Sequence, residues 1–242
     1  MGRARPGVLA EPGRPRGSAR GLLPLMALLL LDLDNTLVDR DAAFRSAAVD
    51  FLAEHGLPAE DLAWVLAQDA SGYAGRAAVA GALAERYGDA LSAAQIRAFL
   101  DHGASSRVVL AAAARAALTA ARESGWSCVI VTNGRVVQQE RKIRRTGLDG
   151  LVDGWVVSEG IGVRKPDPEI FHAAALRGGM SLAGAWMVGD SAHADIAGAG
   201  ALGLSSVWVA AGRAWTEEAY RPTHTAPDVA SAIRHVVASA AA

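Results

Sequence analysis

The chain has 242 residues, 51% apolar and 20% charged, which is enough to bury a core without metal or disulfide staples. Its formal net charge of −1 argues against a broad electrostatic surface for nucleic acid or an anionic membrane, and leaves room for a local basic pocket. The single cysteine, Cys128, excludes an intramolecular disulfide; within Cys128-Val129-Ile130-Val131 it reads as a small buried hydrophobe.

Residues 1–21 hold five arginines with glycine and proline, a composition that cannot bury enough surface to order itself. The apolar run 22–31 follows, so the start of the chain superficially has the pattern of a secretory signal. No small-x-small cleavage site follows it, the run is too short to span a bilayer, and it ends directly in Asp32-Leu33-Asp34. The expectation is a buried strand at 27–31 in a cytoplasmic protein, with Met26 as the natural start and 1–25 as an upstream or disordered extension.

Beyond that strand, residues 41–109 carry helical patterns at 42–55, 61–67, 75–87 and 92–102 and no convincing strand. They are expected to form an inserted helical cap, leaving 26–40 and 110–242 as the core. In the core, apolar runs at 128–131, 185–188 and 206–209 have the character of buried parallel strands. Helical patterns at 111–124, 136–146, 168–177 and 195–201 follow or separate them. Gly125 and Gly147 act as stops and Pro168 sits in a first turn. This alternation predicts an α/β fold, a doubly wound parallel sheet of Rossmann-like type.

In such sheets ligands bind outside the carboxyl ends of the strands. Asp32 and Asp34 end the first strand, Thr132-Asn133-Gly134 the second, and Gly189-Asp190-Ser191 the third, with Asp195 five residues after Asp190; Lys165 precedes Pro166-Asp167-Pro168. Carboxylates gathered this closely repel one another unless a cation intervenes. With no cysteine or histidine cluster, the set suits a hard ion such as magnesium rather than zinc. Thr132, backbone N–H groups and Lys165 are the donors for a phosphate beside it.

The four segments LLLLDLDNTLVD, VTNG, RKPDP and VGDSAHADI resemble, in that order, the motifs of the haloacid dehalogenase-like hydrolase superfamily, over residues 26 to about 210. The helical insert is similar to that family's C1-type cap. The resemblance implies a magnesium-dependent phosphatase acting on a small phosphorylated metabolite of the nucleotide or sugar-phosphate kind, with no nucleic-acid or membrane partner. It implies that Asp32 is the nucleophile that becomes an aspartyl-phosphate, and that Asp34 is the general acid and then base, its carbonyl facing the metal. Thr132 and Asn133 would hold the transferring phosphoryl, and Lys165 would neutralise it. Asp32, Asp34 and Asp190 would bind Mg²⁺, and Asp195 would orient metal-bound water or Lys165. For acid catalysis near neutral pH, Asp34 is expected to have a raised pKa. Carbon–halogen hydrolases of the family lack the second aspartate, so Asp34 points to phosphate esters. A phosphomutase of the same family and a non-catalytic phospho-acceptor module are the alternatives.

Other features have plainer readings. The glycines of Gly198-Ala199-Gly200-Ala201-Leu202-Gly203 fit helix-to-sheet packing better than a dinucleotide loop. His193 reads as a structural or solvent-facing loop residue, and Trp208 and Trp215 as core or rim packing. Trp64, Tyr73 and Arg76 are cap residues placed in core or surface, with a substrate-facing loop around Tyr73 and Arg76 as the alternative.

Overall fold

The computed structural model describes residues 27–239; the expectation for Met26 and the 1–25 extension lies outside the described residues. In chain order the elements are β1 (Ala27–Leu31), α1 (Arg40–Glu54), α2 (Leu62–Asp69), α3 (Arg76–Tyr87), α4 (Ala93–His102), α5 (Ala112–Glu123), β2 (Trp126–Thr132), α6 (Val136–Thr146), β3 (Gly154–Val157), α7 (Ser158–Ile161), α8 (Pro168–Arg177), β4 (Trp186–Gly189), a π-helical turn (Ala192–Ala197) running into α9 (Gly198–Ala201), β5 (Ser205–Val209), β6 (His224–Ala226) and α10 (Val229–Ser239). Among the described residues no helix is long and apolar enough to cross a membrane.

The six strands form one parallel sheet in the order β3-β2-β1-β4-β5-β6. The chain leaves β1 to build one side of the sheet and then returns to build the other, so β2 and β4 flank β1. Leu31 pairs with Ile130 of β2 and Val188 of β4. These three strands therefore end nearly level, and the residues just beyond them face one crevice.

The period of two in a strand sends alternate side chains to opposite faces. Leu29, Leu31, Cys128 and Ile130 pack with Leu118 of α5, Ile143 of α6 and Ile233 of α10. Leu28, Leu30, Val129 and Val131 pack with Ile170 and Phe171 of α8. The doubly wound α/β sheet is thus present, with six strands rather than the four apolar runs seen in the sequence. β3 and β6 are short edge strands with little apolar periodicity. The expected helix 195–201 is a π-helical turn followed by one turn of α-helix.

α1–α4 surround a separate apolar cluster that includes Phe44, Phe51, Val65, Leu83, Ile96 and Phe99, with Phe51 and Phe99 stacked at 4.2 Å between ring centroids. Ser92 caps α4 in a reciprocal box with Gln95. Trp64 lies in this unit, under the Arg86 guanidinium and against Tyr87. Gly198 packs on Phe171, where a Cβ would stand 2.7 Å from the ring.

Candidate active site

β1 delivers two carboxylates to the crevice through a tight turn. Asn35 sits at φ 58°, a left-handed conformation that asparagine tolerates, and its side chain accepts the N–H of Asp41 (3.1 Å). Val38 closes the turn by donating to the Leu33 carbonyl (3.0 Å). Asp32 itself donates its N–H to the Val188 carbonyl (2.9 Å), which ties the turn to β4.

Lys165 is buried at 3% exposure, and its ammonium has three partners: Asp32 Oδ1 (2.6 Å), Asp195 Oδ1 (2.6 Å) and the Val131 carbonyl (2.7 Å). Asp195 is fully buried and accepts the Ser191 N–H through its other oxygen (3.0 Å). Asp190 receives Arg213 at 3.2 Å, while Trp208 Nε1 donates to the Asp190 carbonyl (2.8 Å).

Ligand oxygens of Asp32, Asp190 and Asp195 lie within 4.8 Å of one another. Burial, with Asp195 and Asp190 alongside, pushes Asp32 up to about 8 against the pull of Lys165. Burial and then Asp195 push Asp190 up to about 6 against Arg213 and Lys165. Three buried carboxylates facing one buried ammonium form an all-oxygen donor set short of positive charge. That is the chemistry of a site for a hard divalent cation. Both Asp195 oxygens are held by short bonds from Lys165 and the Ser191 N–H, whereas the Asp32 oxygen not held by Lys165 accepts only a long bond from Thr36 (3.4 Å), which leaves Asp32 and Asp190 as the more available direct donors.

Thr132, 1% exposed, accepts Gln139 Nε2 at 2.6 Å, so its hydroxyl proton is available to an incoming oxygen. Asn133 is tied to the Lys165 backbone, donating to its carbonyl (3.0 Å) and accepting its N–H (2.8 Å). Its side chain thereby locks the β2 loop to the Lys165 loop.

Asp34 differs from expectation. Burial would raise it, but Lys142 and Gln139 outweigh that and hold its carboxyl below the usual range. Lys142 Nζ stands 2.7 and 2.6 Å from its two oxygens, and Gln139 Nε2 is 3.0 Å from Oδ2. The raised carboxylates are Asp32 and Asp190; the ammonium beside Asp34 reverses the expected direction.

These residues line a cavity of about 610 Å³ whose far wall is the cap loop Ser71–Arg76, including Tyr73 and Arg76. Tyr73 is 61% exposed. Arg76 bonds the Leu100 carbonyl of α4 and Gln138 Oε1 of α6 (2.8 Å). The cavity collects every expected site residue: Asp32, Asp34, Thr132, Asn133, Lys165, Asp190 and Asp195.

Sequence reasoning missed Lys142, Gln139 and Arg213. The first two carried a signal. They are long polar residues three apart on α6, on the same face as Ile143 and Thr146, where burial calls for apolar side chains. Arg213 lies in a loop of irregular backbone and had none.

Comparison with known proteins accords with this geometry. The profile of the haloacid dehalogenase-like hydrolases matches residues 26–203. A glyceraldehyde 3-phosphate phosphatase of Pyrococcus abyssi is 37% identical over 100 residues, 41% of this chain and 42% of that protein. A pyrimidine 5′-nucleotidase of Escherichia coli is 38% identical over 97 residues, 40% of this chain and 43% of that protein. The aligned stretch thus spans about two fifths of the curated relatives' length. Among solved structures, a HAD-hydrolase of Bacillus subtilis bound to magnesium superposes with a TM-score of 0.69 at 25% identity, covering 87% of this chain and 98% of that one.

Proposed function

The chain belongs to the haloacid dehalogenase-like hydrolase family, and from that premise we propose that it is a Mg²⁺-dependent phosphatase that hydrolyses a small phosphomonoester, of nucleotide or sugar-phosphate type, in the cytoplasm. The observation that carries the reading is Lys165 bridging Asp32 and Asp195 beside Asp190, at the foot of a cavity that also holds Asp34 and Thr132. Relatives that share part of the chain are phosphatases of small metabolites, which supports the substrate class.

Asp32 is the nucleophile. One of its oxygens is held by Lys165, and the other, which accepts only a long bond from Thr36 (3.4 Å), attacks phosphorus to form an aspartyl-phosphate, splitting one hard displacement into two easier ones. Thr132 donates to a phosphoryl oxygen, and Lys165, positioned by Asp195 and Asn133, offsets negative charge on the nucleophile and the transferring group. Asp34, ionised in the free protein beside Lys142, takes up a proton when the negatively charged phosphoryl group binds next to it, gives that proton to the leaving alkoxide and then takes one from the hydrolytic water. Mg²⁺ would be held by Asp32, Asp190 and the Asp34 carbonyl, and when bound supplies charge neutralisation of the phosphoryl oxygens. Residues 41–109, acting as a cap, close the cavity against water.

The test is phosphate release from a panel of phosphorylated metabolites with Mg²⁺, with EDTA, and with Asp32→Asn. Release by wild type that needs Mg²⁺ and vanishes in Asp32→Asn supports the reading; equal release by both proteins refutes it.

A further inference from the structure

Two lysines serve the two aspartates of the β1 turn. Lys165 holds Asp32. Lys142, 6% exposed, places its ammonium against both oxygens of Asp34 and against Gln139 Oε1 (2.8 Å). All three of its N–H donors therefore have acceptors. Gln139 completes the arrangement. Its amide nitrogen reaches Asp34 Oδ2 (3.0 Å) and Thr132 Oγ1 (2.6 Å), so a single group spans the proposed proton donor and the proposed phosphoryl-holding hydroxyl.

The local backbone is shaped to allow this. Gly134 has φ 154°, and a Cβ there would stand 3.0 Å from the Gln139 side chain. The preceding residue on the helix, Gln138, bonds the Leu100 and Asp101 carbonyls of α4 (3.2 and 3.0 Å). One face of α6 thus grips the cap with Gln138 and the site with Gln139 and Lys142.

We infer that Gln139 and Lys142 are positioning residues for the leaving-group step: together they clamp the Asp34 carboxylate at a set distance from Thr132, so that it faces the departing oxygen of the substrate. An unclamped aspartate on a surface turn samples several rotamers, and a misplacement of about 1 Å costs on the order of 100-fold in rate. The inference rests on the reading of Asp34 as general acid and base. It adds to that reading the groups that aim it, and it places them on α6 rather than on the β1 turn or in the cap.

The experiment compares two substrates with leaving groups of different need. Glycerol 2-phosphate expels an alkoxide that must be protonated; p-nitrophenyl phosphate expels a stabilised phenolate that needs no proton. Wild type, Lys142→Met, Gln139→Leu and Asp34→Asn are assayed on both with Mg²⁺. The expected result is that Lys142→Met loses kcat by about 100-fold on glycerol 2-phosphate but by less than about threefold on p-nitrophenyl phosphate, the same selective pattern as Asp34→Asn, while Gln139→Leu, which also releases Thr132, loses activity on both substrates but about tenfold more on glycerol 2-phosphate. Lys142→Arg, which keeps the charge and reach, restores part of the alkyl-phosphate rate. Equal losses on both substrates, or no loss on either, with the selective pattern kept in Asp34→Asn, overturn the clamp alone. Loss of the selective pattern in Asp34→Asn as well overturns the clamp together with the role given to Asp34. Should Lys142→Met fail to fold, Gln139→Leu and Lys142→Arg decide the same question.

Discussion

A methyl group on Gly189 would stand 2.2 Å from Oδ2 of Asp195. The last residue of β4 is glycine because a buried carboxylate occupies the space of its side chain. That carboxylate holds both Lys165 and the Ser191 N–H, so the approach of Asp195 to the sheet sets the geometry of the whole strand-end cluster.

Gly189→Ala therefore has no free direction in which to relax. The contact is with a fully buried group rather than the end of a flexible chain. We expect a stability loss of about 1–3 kcal/mol from overpacking and at least a tenfold fall in kcat, read by thermal melting and by phosphate release.

Lys165→Met removes the one ammonium shared by Asp32 and Asp195 and leaves two buried carboxylates without their partner. Breaking a buried pair in this way costs about 3–5 kcal/mol. The same variant should gain more thermal stability from added Mg²⁺ than wild type does, since the cation then answers a larger deficit of positive charge. Activity should be undetectable in both conditions.

The raised carboxylates give a pH signature. Asp32 and Asp190, pushed up to about 8 and about 6, bind protons more tightly folded than unfolded. Their contribution to stability is complete below about pH 4 and is lost as pH rises through their folded values. Without metal, the melting temperature should fall from about pH 4 to about pH 8 for these two groups, and the increment given by Mg²⁺ should grow across the same window. Asp190→Asn should shrink both trends. Asp34, held low by Lys142 and Gln139, acts in the opposite sense: its contribution is present above about pH 4 and is lost as pH falls further, so the two effects separate along a pH series of melts.

Arg76 links α4 to α6 through the Leu100 carbonyl and Gln138, at the boundary of the cap helices with the site. Arg76→Ala should loosen that boundary without touching any carboxylate of the cluster. We expect kcat and KM to change together by about tenfold, as for residues that govern closure, with Mg²⁺ affinity by calorimetry unaltered.

The α/β class, the strands β1, β2, β4 and β5 and the helices α1–α6 and α8 were legible in the sequence, because apolar periodicity and glycine stops are local signals. β3, β6 and α10 were not. Gly154–Val157 and His224–Ala226 are three or four residues long, too short to show a period, and become strands only because an existing sheet edge supplies their hydrogen-bond partners.

For the candidate site, linear motifs, most of them at strand ends, were enough to expect Asp32, Asp34, Thr132, Lys165, Asp190 and Asp195 in one crevice, where the fold places them, since parallel topology brings such ends together whatever lies between them. What those groups touch was decided only by the fold. Asp34 has an ammonium from α6, 108 residues away in the chain, and its pKa is lowered where a reading of neighbouring carboxylates alone raises it. Asp190 has the guanidinium of Arg213, and Asn133 faces the backbone of Lys165. Residue type and order determine which chemistry a strand end can offer. Charge state and aim depend on desolvation and on partners a few ångströms away, and those distances exist only once the helices have packed on the sheet.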